Sequence, residues 1–221
     1  MTNYKKTKDY WDEVFNQAKI RKLDSEKSGY PLLDDALDWL SEPSSKVLDF
    51  GSGSGAMLAY LAKRTKGHYY GIDVSLGAVT LAKELFELNQ LETGYFEVGD
   101  GSSLKRFNNE TFDAVILSNV LDNMQLNDAM HVLEKTTRML KKEGKLLIKL
   151  NPYFDKETIT DLKLEHLDKD LYLESSGLYL LNKTDDFWLD KLSNDYNLYK
   201  QTKIYFTDDH YNRMYLCIKK N

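Results

Sequence analysis

The feature that most constrains the fold is a short glycine-rich turn between a predicted strand and a predicted helix. Residues 46–50 are apolar enough to form a buried strand, and a helical pattern follows as far as Lys63. Glycines at such a junction permit positive φ angles and let a ligand approach bare backbone amides at a helix N-terminus. The junction therefore predicts a ligand site at the carboxyl edge of an α/β sheet. The turn has the sequence Asp49-Phe50-Gly51-Ser52-Gly53-Ser54-Gly55-Ala56.

The first 150 residues alternate predicted strands with predicted helices around that turn. Residues 114–117 are continuously apolar, which is typical of a strand buried on both faces. The alternation indicates a Rossmann-like, doubly wound α/β sheet that is mostly parallel, with helices on both sides. The predicted strands are residues 46–50, 68–73, 94–98, 112–117 and 145–150. The predicted helices are residues 2–21, 30–40, 75–89 and 127–140, together with the helix after the glycine turn.

The last third of the chain follows a different pattern. Residues 152–184 are aromatic and charged with no clean period, and residues 186–193 are predicted to form a helix. Two strand-like runs, 199–206 and 213–219, flank a polar turn and predict a terminal β-hairpin. No shift in composition marks a second domain.

Two acidic residues stand where later strands end. Asp73 closes the second strand, where a carboxylate can accept hydrogen bonds from ribose hydroxyls. Asp100 follows the third strand, where an acid can accept from an exocyclic adenine amine while the amide of Gly101 reaches a ring nitrogen. The glycine turn satisfies both the G-x-G-x-x-A pattern of dinucleotide folds and D-x-G-x-G-x-G. Asp73 suits the ribose of a nucleoside ligand under either pattern. Asp49 and Gly99-Asp100, however, have no regular role in NAD binding.

Together these motifs resemble the core of class I S-adenosylmethionine-dependent methyltransferases of the small-molecule type, broadly similar to the quinone-biosynthesis methyltransferases. The resemblance covers residues 46–150, about half of the chain, and extends through 112–121 and 139–148 in the family's order and spacing. It implies a seven-stranded sheet with a C-terminal β-hairpin whose last strand is antiparallel. It also implies S-adenosyl-L-methionine as cofactor and S-adenosyl-L-homocysteine as product.

The resemblance assigns a role to each cofactor-binding residue. The glycine turn would pass under the methionine part of the cofactor, and Asp49 would help to order its ammonium group. Asp73 would hold the ribose, and Asp100 would bind the adenine edge. Ser118 or Asn119, after the fourth strand, would meet the ammonium group or the acceptor. The implied set is Asp49, Gly51, Ser52, Gly53, Asp73, Val74, Asp100, Gly101, Ser118 and Asn119.

Two features depart from known relatives. Many relatives have a histidine shortly after the fourth strand, where this chain has Leu121-Asp122-Asn123-Met124, which disfavours assignment to the quinone enzymes. Asn151-Pro152-Tyr153-Phe154 resembles the N-P-P-Y motif of adenine-amino methyltransferases. In that family, however, the motif follows the fourth strand and has a second proline, so nucleic-acid methylation is a minor alternative.

Composition predicts a soluble cytoplasmic protein. The 221 residues carry 30 Lys and Arg against 35 Asp and Glu, and the net charge of −5 repels nucleic acid and anionic membranes. A single cysteine excludes an internal disulfide or a cysteine-based zinc site, and no metal is expected. No apolar run reaches the roughly 18 residues that span a bilayer. The N-terminus also lacks the apolar stretch of a signal peptide.

Two segments are expected to cover the ligand. Residues 1–28 are interpreted as an N-terminal helical extension or lid, which would close over the cofactor. Residues 29–221 are interpreted as the S-adenosylmethionine-binding domain, with 152–184 inserted as a substrate-side cover, because a long loop at the carboxyl edge is usually functional. The candidate lid and substrate residues are Tyr10, Trp11, Phe15, Tyr153, Tyr172 and Tyr179.

An acceptor that begins protonated needs a general base, and the candidate catalytic residues are His210, His166 and Asn119. His166 follows the fifth strand and His210 lies in the hairpin turn, so both are expected at the ligand edge. His131 falls on the polar stripe of its helix and is expected to be solvated.

The preferred hypothesis is a methyltransferase that transfers a methyl group in line to a small-molecule acceptor. Three alternatives remain open at this point. They are a non-enzymatic S-adenosylmethionine-binding module, a nucleic-acid base methyltransferase and an NAD(P)-dependent oxidoreductase on a related fold.

Overall fold

The computed structural model describes residues 4–208 and 210–221. Its strands are β1 (Lys46–Phe50), β2 (His68–Asp73), β3 (Gly94–Val98), β4 (Phe112–Ser118), β5 (Leu140–Leu150), β6 (Glu165–Asp168), β7 (Leu171–Leu173), β8 (Tyr179–Leu181), β9 (Tyr196–Tyr205) and β10 (Tyr211–Lys219). Its helices are α1 (Lys5–Gln17), α2 (Pro31–Leu40), α3 (Ala56–Arg64), α4 (Leu76–Leu88), α5 (Leu126–Met139), α6 (Lys156–Asp161) and α7 (Asp185–Ser193). Two 3₁₀ turns span Ser103–Arg106 and Leu121–Asn123.

Seven strands form the main sheet, in the order β3-β2-β1-β4-β5-β10-β9. Strands β1 to β5 pair in parallel, whereas β10 is antiparallel to both β5 and β9. The final strand is therefore inserted between two strands that run the other way. The predicted fold class is confirmed, including the C-terminal hairpin with its antiparallel last strand.

Helices cover both faces of this sheet. One buried cluster joins the sheet to α2, α3 and α4, and a second joins it to α5 and α7. Alternate side chains of the parallel strands enter opposite clusters, as in Val47 and Leu48 of β1, which explains their continuous apolar runs. No helix within the described ranges is long and apolar enough to cross a bilayer.

Strand β5 begins earlier than the sequence pattern predicts. Helix α5 ends at Met139, and the chain enters the sheet at once, with Leu140 fully buried opposite Phe112. In sequence, Lys141-Lys142-Glu143-Gly144 resembles the end of a helix. In the structure these residues form a bulge within the strand, and Glu143 has a φ of 58°. The register shift between Phe112 and Ala114 absorbs this bulge.

Residues 152–184 are more regular than their sequence predicts. They contain α6 and the antiparallel sheet β6-β7-β8, in which Leu180 and Leu181 of β8 are buried, as is Leu178 just before it. Strands of three or four residues are too short to show a period, which is why the pattern did not reveal them.

Candidate functional site

A cavity of about 410 Å³ lies at the carboxyl ends of β3, β2, β1, β4 and β5. Parallel strands end at the same edge of a sheet, so residues distant in sequence meet there. Side chains of α1 and of the first half of α5 wall the remaining sides. The volume falls within the roughly 300–1,000 Å³ typical of small-molecule sites.

All ten residues of the implied cofactor-binding set line this cavity. They belong to the glycine turn after β1, the loops after β2 and β3, and the end of β4. The structure thus brings together side chains from four separate segments of the chain. The members are Asp49, Gly51, Ser52, Gly53, Asp73, Val74, Asp100, Gly101, Ser118 and Asn119.

The glycine turn is held against β2 by its own amides. Gly51 N and Ser52 N donate to Ile72 O at 2.7 and 3.1 Å. Gly51 has a φ of 77°, and a Cβ added there would collide with the Val120 side chain. Glycine is therefore needed at position 51 both for its backbone conformation and for the close approach of the loop after β4.

Asp73 braces the turn from the end of β2. Its Oδ2 accepts a hydrogen bond from Gly53 N at 2.9 Å, and its Oδ1 accepts one from Ser75 N at 2.9 Å. Burial raises the pKa of Asp73, although these backbone hydrogen bonds oppose the rise. Each oxygen retains a second lone pair, so the carboxylate can brace the turn and still accept from a ligand hydroxyl.

Asp49 is an ionisable group buried at the centre of the cavity wall. It is 2% exposed, and its Oδ1 has no hydrogen-bond partner among the described residues. Burial raises the pKa of Asp49 to about 7, the nearby Asp73 carboxylate contributes to the rise, and Lys149 opposes it. The Ser52 hydroxyl is likewise buried and unpartnered in the described part of the chain. Both groups would be satisfied by a polar or cationic ligand.

Asp100 is exposed at the mouth of the cavity. Its Oδ1 accepts hydrogen bonds from Ser102 N at 2.8 Å and from Ser102 Oγ at 2.5 Å, which orders the turn after β3. The neighbouring Gly101 lies against Val132 of α5. The acid therefore has a structural role in this turn, and one carboxylate oxygen is left for a ligand amine.

A small amide network forms the end of β4. Asn119 has a φ of 53°, and its Nδ2 donates to Asn151 Oδ1 at 3.1 Å. Asn151 Nδ2 donates to Asn123 Oδ1 at 3.3 Å, and Asn123 Nδ2 returns to Asn119 O at 2.7 Å. Because a carboxamide has no basic atom at neutral pH, and the Asn119 side chain is held in this network, the residue is suited to positioning and not to accepting a proton.

Helix α1 closes one side of the cavity. Trp11 and Phe15 line it and stack with ring centroids 5.7 Å apart, whereas Tyr10 packs on Trp11 outside the lining. Asp12 accepts hydrogen bonds from Ser75 Oγ at 2.6 Å and fixes the helix to the start of α4. The sequence analysis missed Tyr4 and Thr7, which also line the cavity, because helical spacing alone does not indicate which stripe faces a ligand.

The aromatic residues of 152–184 do not lie where the sequence analysis expected them. None of the described residues in this segment lines the cavity. Tyr153 borders a separate shallow pocket, Tyr172 packs against His166, and Tyr179 makes an edge contact with Tyr4, which immediately precedes α1. Since the segment folds into its own sheet, it braces α1 from outside and does not cross the cavity mouth.

Three histidines also lie in other places than the sequence analysis expected. His166 lies on exposed β6, 2.8 Å from Lys169 O, and His210 packs against Phe206 in the hairpin turn; neither lines the cavity. His131, expected to be solvated, lines the cavity from α5 with its side chain 36% exposed. Both histidines were expected at the ligand edge because their loops follow strands that end there. The small sheet β6-β7-β8 and the terminal hairpin instead hold both side chains away from the cavity.

Lys149 is a cavity residue that the sequence analysis did not single out. It is the penultimate residue of β5 and pairs in register with Ser118. Burial lowers its pKa, although Asp49 and Asp122 oppose the change. A lysine inside the apolar run Leu146-Leu147-Ile148-Lys149-Leu150 is the signal that could have identified it.

Comparison with known proteins agrees with this geometry. Residues 48–148 match the family model described as a methyltransferase domain. The chain is 32% identical over 108 residues to demethylmenaquinone methyltransferase of Bacillus cereus, a match covering 48% of this chain and 44% of that protein. It is 29% identical over 113 residues to phosphoethanolamine N-methyltransferase of Plasmodium falciparum, covering 48% and 38%. The chain thus spans less than half the length of these curated relatives.

Solved structures share the fold over nearly the whole chain. A protein of Pyrococcus horikoshii OT3 has a TM-score of 0.71 and 19% identity, covering 94% of this chain and 99% of that one. Magnesium protoporphyrin IX methyltransferase of Synechocystis PCC 6803, solved with bound S-adenosylhomocysteine, has a TM-score of 0.68 and 17% identity, covering 99% and 97%. Sheet order, the glycine turn and the match over residues 48–148 agree, and together they support a class I S-adenosylmethionine-dependent methyltransferase.

Proposed function

We propose that this chain binds S-adenosylmethionine in the cavity and transfers its methyl group to a small-molecule acceptor. The observation that carries the proposal is the convergence of the implied cofactor-binding set on one cavity of about 410 Å³. An NAD-dependent alternative gives no regular role to Asp49 or Asp100, both of which line that cavity.

The residues present fit the cofactor. Asp73 and Asp100 would hold its ribose and adenine, and the glycine turn would lie under its methionine part. The Asp49 carboxylate, whose Oδ1 has no hydrogen-bond partner among the described residues, would balance its ammonium group, and the Ser52 hydroxyl offers a further polar contact. When bound, S-adenosylmethionine supplies an electrophilic methyl group with a good leaving group.

The chain's own contribution is alignment and exclusion of water. Trp11, Phe15 and Met124 supply apolar walls to the cavity, and polar contacts hold α1 in place over it. The amide network around Asn119 fixes the backbone at the end of β4. A site walled in this way would favour an in-line displacement by holding the reacting atoms close together and limiting the access of water.

The cavity is covered on one side, and this favours a small acceptor. The cavity is covered by α1 and braced from outside by the turn at Gly177, whose carbonyl accepts from Thr7 Oγ1 at 3.3 Å. The net charge of −5 is unfavourable for binding to nucleic acid or to an anionic membrane. The same charge and the single buried Cys217 suit a cytoplasmic enzyme.

The proposal predicts transfer of label from methyl-labelled S-adenosylmethionine to at least one compound in a cell metabolite extract, detected by mass. Wild-type protein should produce a labelled small molecule and S-adenosylhomocysteine in equal amounts. Asp49→Asn should give little of either. Binding of S-adenosylhomocysteine without any labelled product would indicate a non-enzymatic binding module, and label in added RNA or DNA would indicate the nucleic-acid alternative.

A further inference from the structure

The charges around the cavity are strongly uneven. Its lining includes four carboxylates, those of Asp49, Asp73, Asp100 and Asp128. Of the described residues that line it, Lys149 is the only lysine or arginine. Lys149 is therefore the one fixed positive charge among these lining residues that an anionic group entering the cavity could bind.

Lys149 lies beyond the residues implied for the cofactor. Across the sheet edge, that set follows β3, β2, β1 and β4, and Lys149 is on β5, the next strand. Its register partner is Ser118, the last residue of β4. Lys149 therefore lies in the part of the cavity that the bound cofactor would leave free.

The Lys149 ammonium group has no partner in the described part of the chain. It makes no hydrogen bond or ion pair there, and its contact is with the Phe206 ring, whose centroid is 5.5 Å from Nζ. Asp49 and Asp122 act on it only through space, since neither forms an ion pair with it within 4.0 Å. A half-buried cation without a counter-ion is costly unless a ligand supplies one.

We propose that Lys149 binds an anionic group, a carboxylate or a phosphate, on the methyl acceptor. This inference rests on the proposed function and specifies its substrate class. The Phe206 ring lies beside the Lys149 ammonium group, and Phe206 is itself held by an edge contact with Tyr30, with centroids 4.9 Å apart. Lys149 is therefore a binding residue, whose loss should raise KM more than it lowers kcat.

The first test uses wild-type protein alone. A metabolite extract is separated on a strong anion exchanger at pH 7 into a retained, anionic pool and an unretained pool, before any reaction. Each pool is then incubated with methyl-labelled S-adenosylmethionine. Label is expected in products from the anionic pool. Absence of label from that pool overturns the inference, whether or not the unretained pool is labelled.

The second test uses variants. Lys149→Met should lower kcat/KM for the labelled acceptor by about 10–150-fold, mainly through KM, because a charge-assisted contact is lost. Lys149→Arg, which keeps the charge, should recover part of that loss. The matched control is Lys145→Met on the same face of β5, where Nζ donates to Trp39 O away from the cavity, and it should retain the wild-type kcat/KM.

Calorimetry with S-adenosylhomocysteine separates this inference from the proposed function. Lys149→Met should bind S-adenosylhomocysteine within about threefold of wild type. A loss greater than tenfold would assign Lys149 to the cofactor's own carboxylate and overturn the inference, as would an unchanged KM for the acceptor. If wild-type protein bound no S-adenosylhomocysteine, the proposed function would fail, and this inference would fail with it.

Discussion

Asp49→Asn is expected to stabilise the protein above pH 7 while weakening its binding of S-adenosylhomocysteine about tenfold or more. Burial raises the pKa of Asp49 from 3.8 to about 7, so the folded protein holds a proton that the unfolded chain has already released. Wild-type stability should therefore fall as the pH rises from about 4 to 7 and then level off. The amide carries no charge and avoids this cost, which is on the order of 2–4 kcal/mol.

Thermal unfolding between pH 4 and pH 8 measures the first effect, and calorimetry at pH 8 measures the second. Asp122→Asn is the matched control, because Asp122 is fully buried with its pKa raised by burial to about 6 but does not line the cavity. Like Asp49→Asn, Asp122→Asn should be more stable than wild type at high pH. Unlike Asp49→Asn, it should leave the affinity for S-adenosylhomocysteine unchanged. If Asp49→Asn bound the ligand as tightly as wild type, Asp49 would have no part in holding the cofactor.

Asp73→Ala is expected to lose both cofactor affinity and stability. The loss of a carboxylate that accepts from ribose hydroxyls should weaken S-adenosylhomocysteine binding by about 10–150-fold. The amides of Gly53 and Ser75 would also lose their acceptors, at a cost of about 1–3 kcal/mol for the buried Ser75 donor and less for the part-buried Gly53 donor. The second effect could not be expected from sequence, which indicates only that an acid ends β2.

Affinity is measured by calorimetry at a temperature where circular dichroism shows the variant to be folded. Asp113→Ala provides the comparison, since Asp113 accepts a hydrogen bond from Lys46 N at 2.8 Å at the opposite edge of the sheet. That variant should lose some stability and keep its affinity. An Asp73→Ala protein that is destabilised but binds normally would show that Asp73 only braces the turn.

The cofactor side of the cavity could be anticipated from sequence because its determinants are local. Glycines in a strand-to-helix turn and acids at strand ends are set by short-range backbone geometry, and parallel pairing then brings them together. Ser75 shows the same locality: it caps α4 as its position suggests, accepting from Ala78 N at 3.1 Å.

The acceptor side could not be anticipated because its determinants are long-range. His166 and Tyr172 were expected near the ligand because their segment follows β5, yet both lie on the separate sheet β6-β7-β8 and neither lines the cavity. Lys149 interrupts an apolar run in the sequence, but its contact with Phe206 depends on the packing of β10 and the hairpin turn against β5. Side-chain direction in these segments depends on packing between elements, which no local pattern encodes.

The central claim is that the cavity is an S-adenosylmethionine site, and the most direct test is thermal unfolding with S-adenosylhomocysteine or NAD added separately. At 100 times its dissociation constant, S-adenosylhomocysteine should add ~2.7 kcal/mol to the free energy of unfolding. For a domain of this size, that corresponds to a rise of roughly 5–11 °C in Tm. NAD at the same concentration should produce no comparable rise, whereas a larger shift with NAD than with S-adenosylhomocysteine would contradict the account.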